Sequence, residues 1–148
     1  MKFFEGGLLK GLPQDYQKAN ESNLKAGELG CAGGYLLLGD SYSRGIGVEV
    51  DIRKAKHYWE LAAMGGSILA RHNLGSFEGK LGNQHRAMRH YMIAARADYN
   101  DSLDKVKAGF IDGHVTKDEY ANALRACHER RIQMKSDARD KAAEIGVL

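Results

Sequence analysis

Apolar residues recur at helical spacing in several short segments of the chain, and glycine-rich turns separate these segments. One such segment follows Asp51, where apolar positions three or four residues apart predict an amphipathic helix. These positions are Ile52, Ala55, Tyr58, Trp59, Ala62 and Ala63. Asp51 is a favourable N-cap for the helix, and Gly65 and Gly66 are suited to end it. We call this predicted element helix B.

A second apolar segment precedes helix B and predicts a partner for it, which we call helix A. Its apolar and small positions are Tyr35, Leu36, Leu38, Gly39 and Tyr42. Gly45 and Gly47 follow, and glycine is suited to a turn because it adopts positive φ without a steric cost. The two segments therefore predict a pair of helices joined by a tight turn.

The same pair of helices is encoded again further along the chain. Leu38-Gly39 recurs 36 residues later as Leu74-Gly75, and Ala62-Ala63 recurs 32 residues later as Ala94-Ala95. The turn of the second copy is therefore four residues shorter. A third copy has lost the Leu-Gly pair but keeps a capping box that begins at Thr116. A period of this length with two helical patterns is typical of a stacked helical solenoid.

These repeats predict an all-α solenoid of about three and a half repeats in a single domain, 1–148. The segments are a half repeat at 6–31, repeats at 32–66 and 67–100, a degenerate repeat at 101–128, and a polar capping helix at 129–148. The half repeat has the turn and helix B but no recognisable helix A. Its exposed apolar face is covered either by residues of the N-terminus or by an upstream domain, and the pattern favours the upstream domain. Self-association through this half repeat is a further possibility.

The first complete repeat resembles the Sel-1-like repeat family, a relative of the tetratricopeptide repeats. The matching residues are Leu38-Gly39, Tyr42, Gly45, Gly47-Val48, Asp51, Lys54-Ala55 and Ala62-Ala63. The resemblance extends over about residues 6–127. It implies a right-handed superhelix of antiparallel helix pairs whose A helices line the concave side. It also implies an adaptor that assembles protein complexes, a role in which such repeats are also fused behind RING-like zinc modules.

Composition and charge narrow the choice of partners. The chain is 43% hydrophobic and 28% charged, with a formal net charge of +3, which is typical of a folded domain. Only 128–141 is locally basic, and Glu129, Asp137 and Asp140 dilute that charge. A nucleic-acid-binding protein usually concentrates its basic residues on one face, so no nucleic-acid partner is predicted.

The cysteines and the apolar runs indicate a compartment. Cys31 and Cys127 occupy unrelated positions of the repeat and are predicted to be buried thiols in a reducing compartment. No apolar run approaches the roughly 20 residues that span a bilayer, and the first residues do not resemble a secretory signal. These features predict a cytoplasmic or nuclear protein that is not secreted and does not insert into membranes.

No pattern of catalytic or metal-binding residues is present. His85 and His90 are five residues apart, which misses the spacing that places two ligands on one helix face. Two cysteines without a Cys-x-x-Cys pair cannot supply a zinc site. The sequence therefore predicts no enzyme activity, no metal and no cofactor, and a hydrolase that uses a cleft histidine is the less favoured alternative.

The predicted function is that of a scaffold or adaptor that binds a peptide or protein partner on the concave face. The residues expected to project from the A helices into this groove are Tyr35, Leu37, Asp40, Arg71, Asn73, Ser76 and Lys105. Tyr35 and Arg71 are the favoured anchors, because tyrosine and arginine are enriched at interface hot spots. The alternative is a structural spacer or a fragment of a larger multidomain protein, for example one with an upstream RING-like module.

Overall fold

The computed structural model describes residues 12–146, and within this range the protein consists of α-helices joined by short turns, without any strand. The helices are α1 (Leu12–Glu28), α2 (Ala32–Arg44), α3 (Ile52–Met64), α4 (Ile68–Lys80), α5 (Gln84–Arg96), α6 (Asn100–Ile111) and α7 (Lys117–Glu144). Helices α2, α4 and α6 are the A helices, and α3, α5 and α7 are the B helices. The predicted all-α repeat fold is confirmed.

The chain forms two compact units that meet in the sequence between Leu74 and Gly75, within α4. In the first unit, α2 packs against both α1 and α3. In the second unit, α5 packs against α6 and α7, and α6 packs against α7. Helices that follow one another along the chain therefore pack together, and in the second unit α5 also packs against α7.

Equivalent positions of the A helices are buried in each repeat, and residues of similar size occupy them. A small residue near the start of each helix A is buried at Gly34, Ala70 and Ser102. Four residues later an aliphatic side chain is buried: Leu38, Leu74 and Val106. The third repeat thus keeps the buried positions of its helix A in spite of its altered sequence.

A glycine of helix A allows an aromatic ring of helix B to lie against the helix backbone. A Cβ atom added to Gly39 would lie 2.5 Å from Trp59 Cδ1, and one added to Gly75 would lie 2.7 Å from the Tyr91 ring. In the third repeat the glycine is replaced by Lys107, and the equivalent position of α7 is occupied by Leu124. Leu124 is 41% exposed. Glycine and aromatic ring have therefore been lost together.

The predicted helix starts at Asp51 and Thr116 agree with the structure. The Asp51 side chain accepts a hydrogen bond from the Lys54 amide at 3.1 Å, and the capping box between Thr116 and Glu119 is complete. Asn83 is the N-cap residue of α5, but its side chain makes no capping hydrogen bond. Its side-chain Nδ2 instead donates a hydrogen bond to Glu78 Oε2 on the preceding helix at 2.7 Å.

The predicted separate capping helix at 129–148 is not formed. One continuous helix, α7, crosses the expected boundary at residue 128, because no glycine or proline occurs within it to end the helix. Residues 128–141 are all exposed. At the other end of the chain, α1 is the predicted helix B of the half repeat. The turn before it lies outside the described residues, and self-association through the half repeat remains a prediction.

Candidate partner-binding surface

One side of each helix A faces the solvent and contains no buried residue. Its positions are four, three and four residues apart, a spacing that keeps them on one face of a helix. We call these positions the A stripe. They are Gly33, Leu37, Asp40 and Arg44 of α2; Leu69, Asn73, Ser76 and Lys80 of α4; and Asp101, Lys105, Ala108 and Asp112 at α6. Five of the seven predicted contact residues belong to it: Leu37, Asp40, Asn73, Ser76 and Lys105.

The two residues that the sequence favoured as anchors lie outside the A stripe. The ring of Tyr35 stacks on Tyr58 of α3, with centroids 6.0 Å apart, and it covers the backbone of Gly27 in α1. Arg71 occupies the equivalent position of α4 and is partly buried. Two residues along a helix correspond to a rotation of about 200°, so Tyr35 points to the helices of its own unit when Leu37 points to solvent. Tyr35 is therefore a packing residue.

Hydrogen bonds to neighbouring helices hold three polar residues of the A stripe in place: Asp40, Asn73 and Ser76. In the first unit, Asp40 Oδ1 accepts hydrogen bonds from Trp59 Nε1 at 3.0 Å and from Asn73 Nδ2 at 3.2 Å. Burial raises the pKa of the Asp40 carboxyl, although the Trp59 hydrogen bond and the charge of Arg44 act in the opposite direction. Asp40 thus links its own helix B to the next helix A.

The second unit contains the equivalent link. The Ser76 and Tyr91 hydroxyls are 3.0 Å apart and share a hydrogen bond, and these residues occupy the repeat positions of Asp40 and Trp59. The sequence alone did not indicate this pairing. Three of the predicted contact residues therefore use polar groups in hydrogen bonds within the protein: Asp40, Asn73 and Ser76. Their main role is to hold the helices of this surface together.

A cleft of about 350 Å³ opens in the second unit among α4, α5 and α6. Its buried surface includes Met88, Tyr91 and Gly109. The missing side chain of Gly109 leaves the space that the Met88 sulfur occupies. Its more exposed lining includes Ser76, Lys80, Lys105, Asp112 and His114. The cleft combines an apolar interior with lysines at its edge, and two predicted contact residues, Ser76 and Lys105, line it.

The two cysteines are free thiols in different surroundings. Cys31 is exposed, so the prediction that it is buried was wrong, whereas Cys127 is buried. The Cys127 thiol donates a hydrogen bond to Asp98 Oδ1 at 3.2 Å. Burial and the neighbouring Asp98 raise the pKa of Cys127, which is the opposite of what activates a nucleophilic cysteine.

Residues 12–146 contain neither a cluster of metal-binding side chains nor a membrane-spanning helix. In this part of the chain, no group of three or more histidine, cysteine, aspartate or glutamate side chains is placed to hold a metal ion. None of its helices is both long enough and apolar enough to cross a bilayer.

Comparison with known proteins identifies the repeat. A family model described as Sel1 repeat matches residues 2–21, 32–67 and 68–99, which together make up more than half of the chain. The second stretch contains α2 and α3, and the third contains α4 and α5. No curated protein and no solved structure shows a significant match. The chain belongs to the Sel1 repeat family, whose repeats generally serve as protein–protein interaction modules.

Proposed function

We propose that this protein is a non-catalytic adaptor that binds a peptide segment of a partner protein in the cleft of the second unit, which residues of the A stripe from α4 and α6 help to line. The observation that carries the proposal is the cleft itself, which lies between two A helices and combines buried apolar groups with charged edges. Membership of the Sel1 repeat family supports the same function.

The composition of the cleft suits a peptide side chain. Met88 supplies a polarizable thioether and Tyr91 an aromatic ring, and both groups adapt well to an apolar anchor of a ligand. The hydrogen bond between Ser76 and Tyr91 holds the ring in place before a ligand arrives. Because such a preformed pocket orders few side chains on binding, it loses little conformational entropy.

The lysines at the edge of the cleft would fix the orientation of the peptide. Lys80 and Lys105 come from different A helices, and both are exposed. They would contact backbone carbonyls or carboxylates of the bound segment. The family resemblance implies that the A helices form the concave face, so we place the partner on that face.

We place the adaptor in the cytoplasm, with the nucleus as the alternative, and the exposed free thiol of Cys31 suits a reducing compartment.

Peptide selection followed by matched variants tests this function. Peptides from a random 12-residue display library are selected on the wild-type protein, and their affinities are measured by fluorescence anisotropy. We expect Lys80→Glu/Lys105→Glu to weaken the selected peptides by about 10-fold, the size of two lost charged contacts. The control Lys135→Glu/Arg139→Glu changes the net charge equally at exposed positions of α7, and it should change affinity by less than about twofold.

Two results would contradict the proposal. If the selected peptides bind the Lys80→Glu/Lys105→Glu variant as tightly as the wild type, the cleft is not the binding site. If no peptide is enriched on the wild-type protein, a structural spacer explains the chain better than an adaptor does. Circular dichroism establishes beforehand that both variants keep the helical content of the wild type.

A further inference from the structure

Helix α5 exposes a face that is basic along its whole length. The helix contains three arginines and no aspartate or glutamate. Its exposed residues are His85, Arg86, Arg89, Ile93 and Arg96, which fall within about 100° of the helix circumference at 3.6 residues per turn. We call Arg86, Arg89, Ile93 and Arg96 the arginine face. The sequence pattern indicated only 128–141 as locally basic and did not indicate this face.

The positive charge of the arginine face is not neutralised by ion pairs. Within the part of the chain that the structure describes, Arg86, Arg89 and Arg96 form no ion pair, whereas Arg131 of α7 pairs with Asp98. One carboxylate, Glu119, lies near enough to interact with Arg96 electrostatically. Hydrogen bonds from Thr116 are the main cause of its lowered pKa, and the charges of His85 and Arg96 lower it further. Glu119 is thus already engaged in capping α7.

The repeat fold does not require these arginines. The equivalent positions of α3, 32 residues earlier, are Lys54, His57, Leu61 and Met64. Both helices pack as helix B of their repeat, and they share a basic residue at Lys54 and Arg86 and an apolar residue at Leu61 and Ile93. Arg89 and Arg96 stand where α3 has His57 and Met64, so the common packing of the two helices does not explain these two arginines.

A shallow depression extends the arginine face towards α7. Ile93, Arg96 and Ala97 line it together with Arg130, so that a guanidinium group of a second helix joins the end of the face. Ile93 lies between Arg89 and Arg96 along α5 and is 45% exposed. The surface thus has an apolar centre with cations on either side.

We infer that the arginine face binds an acidic amphipathic segment of a protein partner, on a helix that does not contribute to the A stripe. From Arg86 to Arg96 the helix rises about 15 Å, a length over which a helical ligand presents carboxylates on successive turns. Arginine favours this ligand because its planar guanidinium group binds a carboxylate through two hydrogen bonds. An apolar side chain of the ligand covers Ile93.

The same observations favour a protein over a nucleic acid. The centre of the face is Ile93, which offers no hydrogen bond to a phosphate, and none of its four positions carries an aromatic side chain on which a base could stack. Glu119 at the start of α7 places negative charge near Arg96, at one end of the face. An acidic peptide tolerates such a surface because its apolar residues gain from contact with Ile93.

A designed peptide tests the inference. The probe is a fluorescein-labelled 18-residue helical peptide with glutamates spaced to meet Arg86, Arg89 and Arg96 and a leucine to meet Ile93; its counterpart carries lysine in place of each glutamate. We expect the acidic peptide to bind and the lysine peptide not to bind. Arg86→Glu/Arg89→Glu should weaken binding by about 10-fold. Ile93→Ala should weaken it less, and added salt should weaken it through screening.

The control again changes charge elsewhere on the protein. Lys135→Glu/Arg139→Glu should change the affinity by less than about twofold. The inference fails if the acidic peptide does not bind, or if the two double variants lose affinity equally, since binding would then follow net charge alone. It also fails if a 20-nucleotide RNA binds more tightly than the peptide and loses affinity in Arg86→Glu/Arg89→Glu. Should that variant not fold, Arg86→Gln/Arg89→Gln replaces it with the same expectations.

Discussion

The contact between Gly39 and Trp59 predicts that Gly39→Ala destabilises the protein. Gly39 lies within α2, where alanine is otherwise the better helix former. A Cβ atom at this position would lie 2.5 Å from Trp59 Cδ1, 2.6 Å from Trp59 Nε1 and 3.1 Å from the Ala55 carbonyl oxygen. Trp59 would have to move, although it is only 8% exposed and donates a hydrogen bond to Asp40.

The opposing contributions give the size of the effect. Replacing glycine by alanine within a helix stabilises it by about 1 kcal/mol. Overpacking a well-filled core costs about 1–3 kcal/mol. Weakening the hydrogen bond between Trp59 and Asp40 adds about 1 kcal/mol. We therefore expect Gly39→Ala to lower the free energy of unfolding by about 1–3 kcal/mol.

A second glycine of α2 provides the matched control. A Cβ atom at Gly33 would have Cys31 Sγ at 3.9 Å as its only near neighbour, an ordinary contact distance. Gly33→Ala should therefore leave the stability unchanged or raise it by up to about 1 kcal/mol. Urea unfolding is followed by the fluorescence of Trp59, the only tryptophan of the chain, which reports on the first unit. If the two variants are equally stable, the close approach of Trp59 to α2 does not limit this position.

Two further predictions concern Asp98 and the cysteines. Burial acts to raise the pKa of Asp98, but hydrogen bonds from Arg131 and Cys127 outweigh it and lower the pKa below the ordinary 3.8. The ionised carboxylate therefore stabilises the fold above about pH 4, and this contribution is lost as the pH falls through the lower folded-state pKa. Asp98→Asn should reduce the loss of stability on acidification in urea titrations between about pH 7 and pH 3, and an unchanged acid dependence would contradict this assignment. Cys31 should react with a maleimide in the native protein and Cys127 only on unfolding, because Cys127 is buried and its pKa is raised; equal labelling rates in peptide mass spectra would show that the Cys127 environment is open.

Features governed by local rules could be predicted from the sequence. The caps at Asp51 and Thr116 depend on the side chain and the first turn that follows it, so the residue types were sufficient. The positive φ of Gly45 and Gly47 follows in the same way from the turn between the helices. The repeat period located the A and B helices because it is a regularity of the sequence itself.

Features that depend on a neighbouring element could not be predicted in this way. Asn83 has the right residue type for a cap, but its side-chain amide donates a hydrogen bond to Glu78 of the preceding helix. Tyr35 was a favoured anchor by residue type, but contact with Tyr58 and Gly27 turns it into a packing residue. The tail was expected to be a helix of its own, yet it continues α7 because no residue interrupts it.

The same distinction between local rules and neighbouring elements applies to the candidate binding surfaces. By itself, the sequence determined the helical repeat, its family and five of the twelve positions of the A stripe, because the 3.6-residue period decides which side chains share one face of a helix. Only the tertiary structure decided which of those side chains are free, since Asp40, Asn73 and Ser76 use their polar groups in hydrogen bonds to other helices. It also decided that the arginines of α5 stand without ion pairs in the described part of the chain, because pairing depends on distances between helices that a single sequence does not contain.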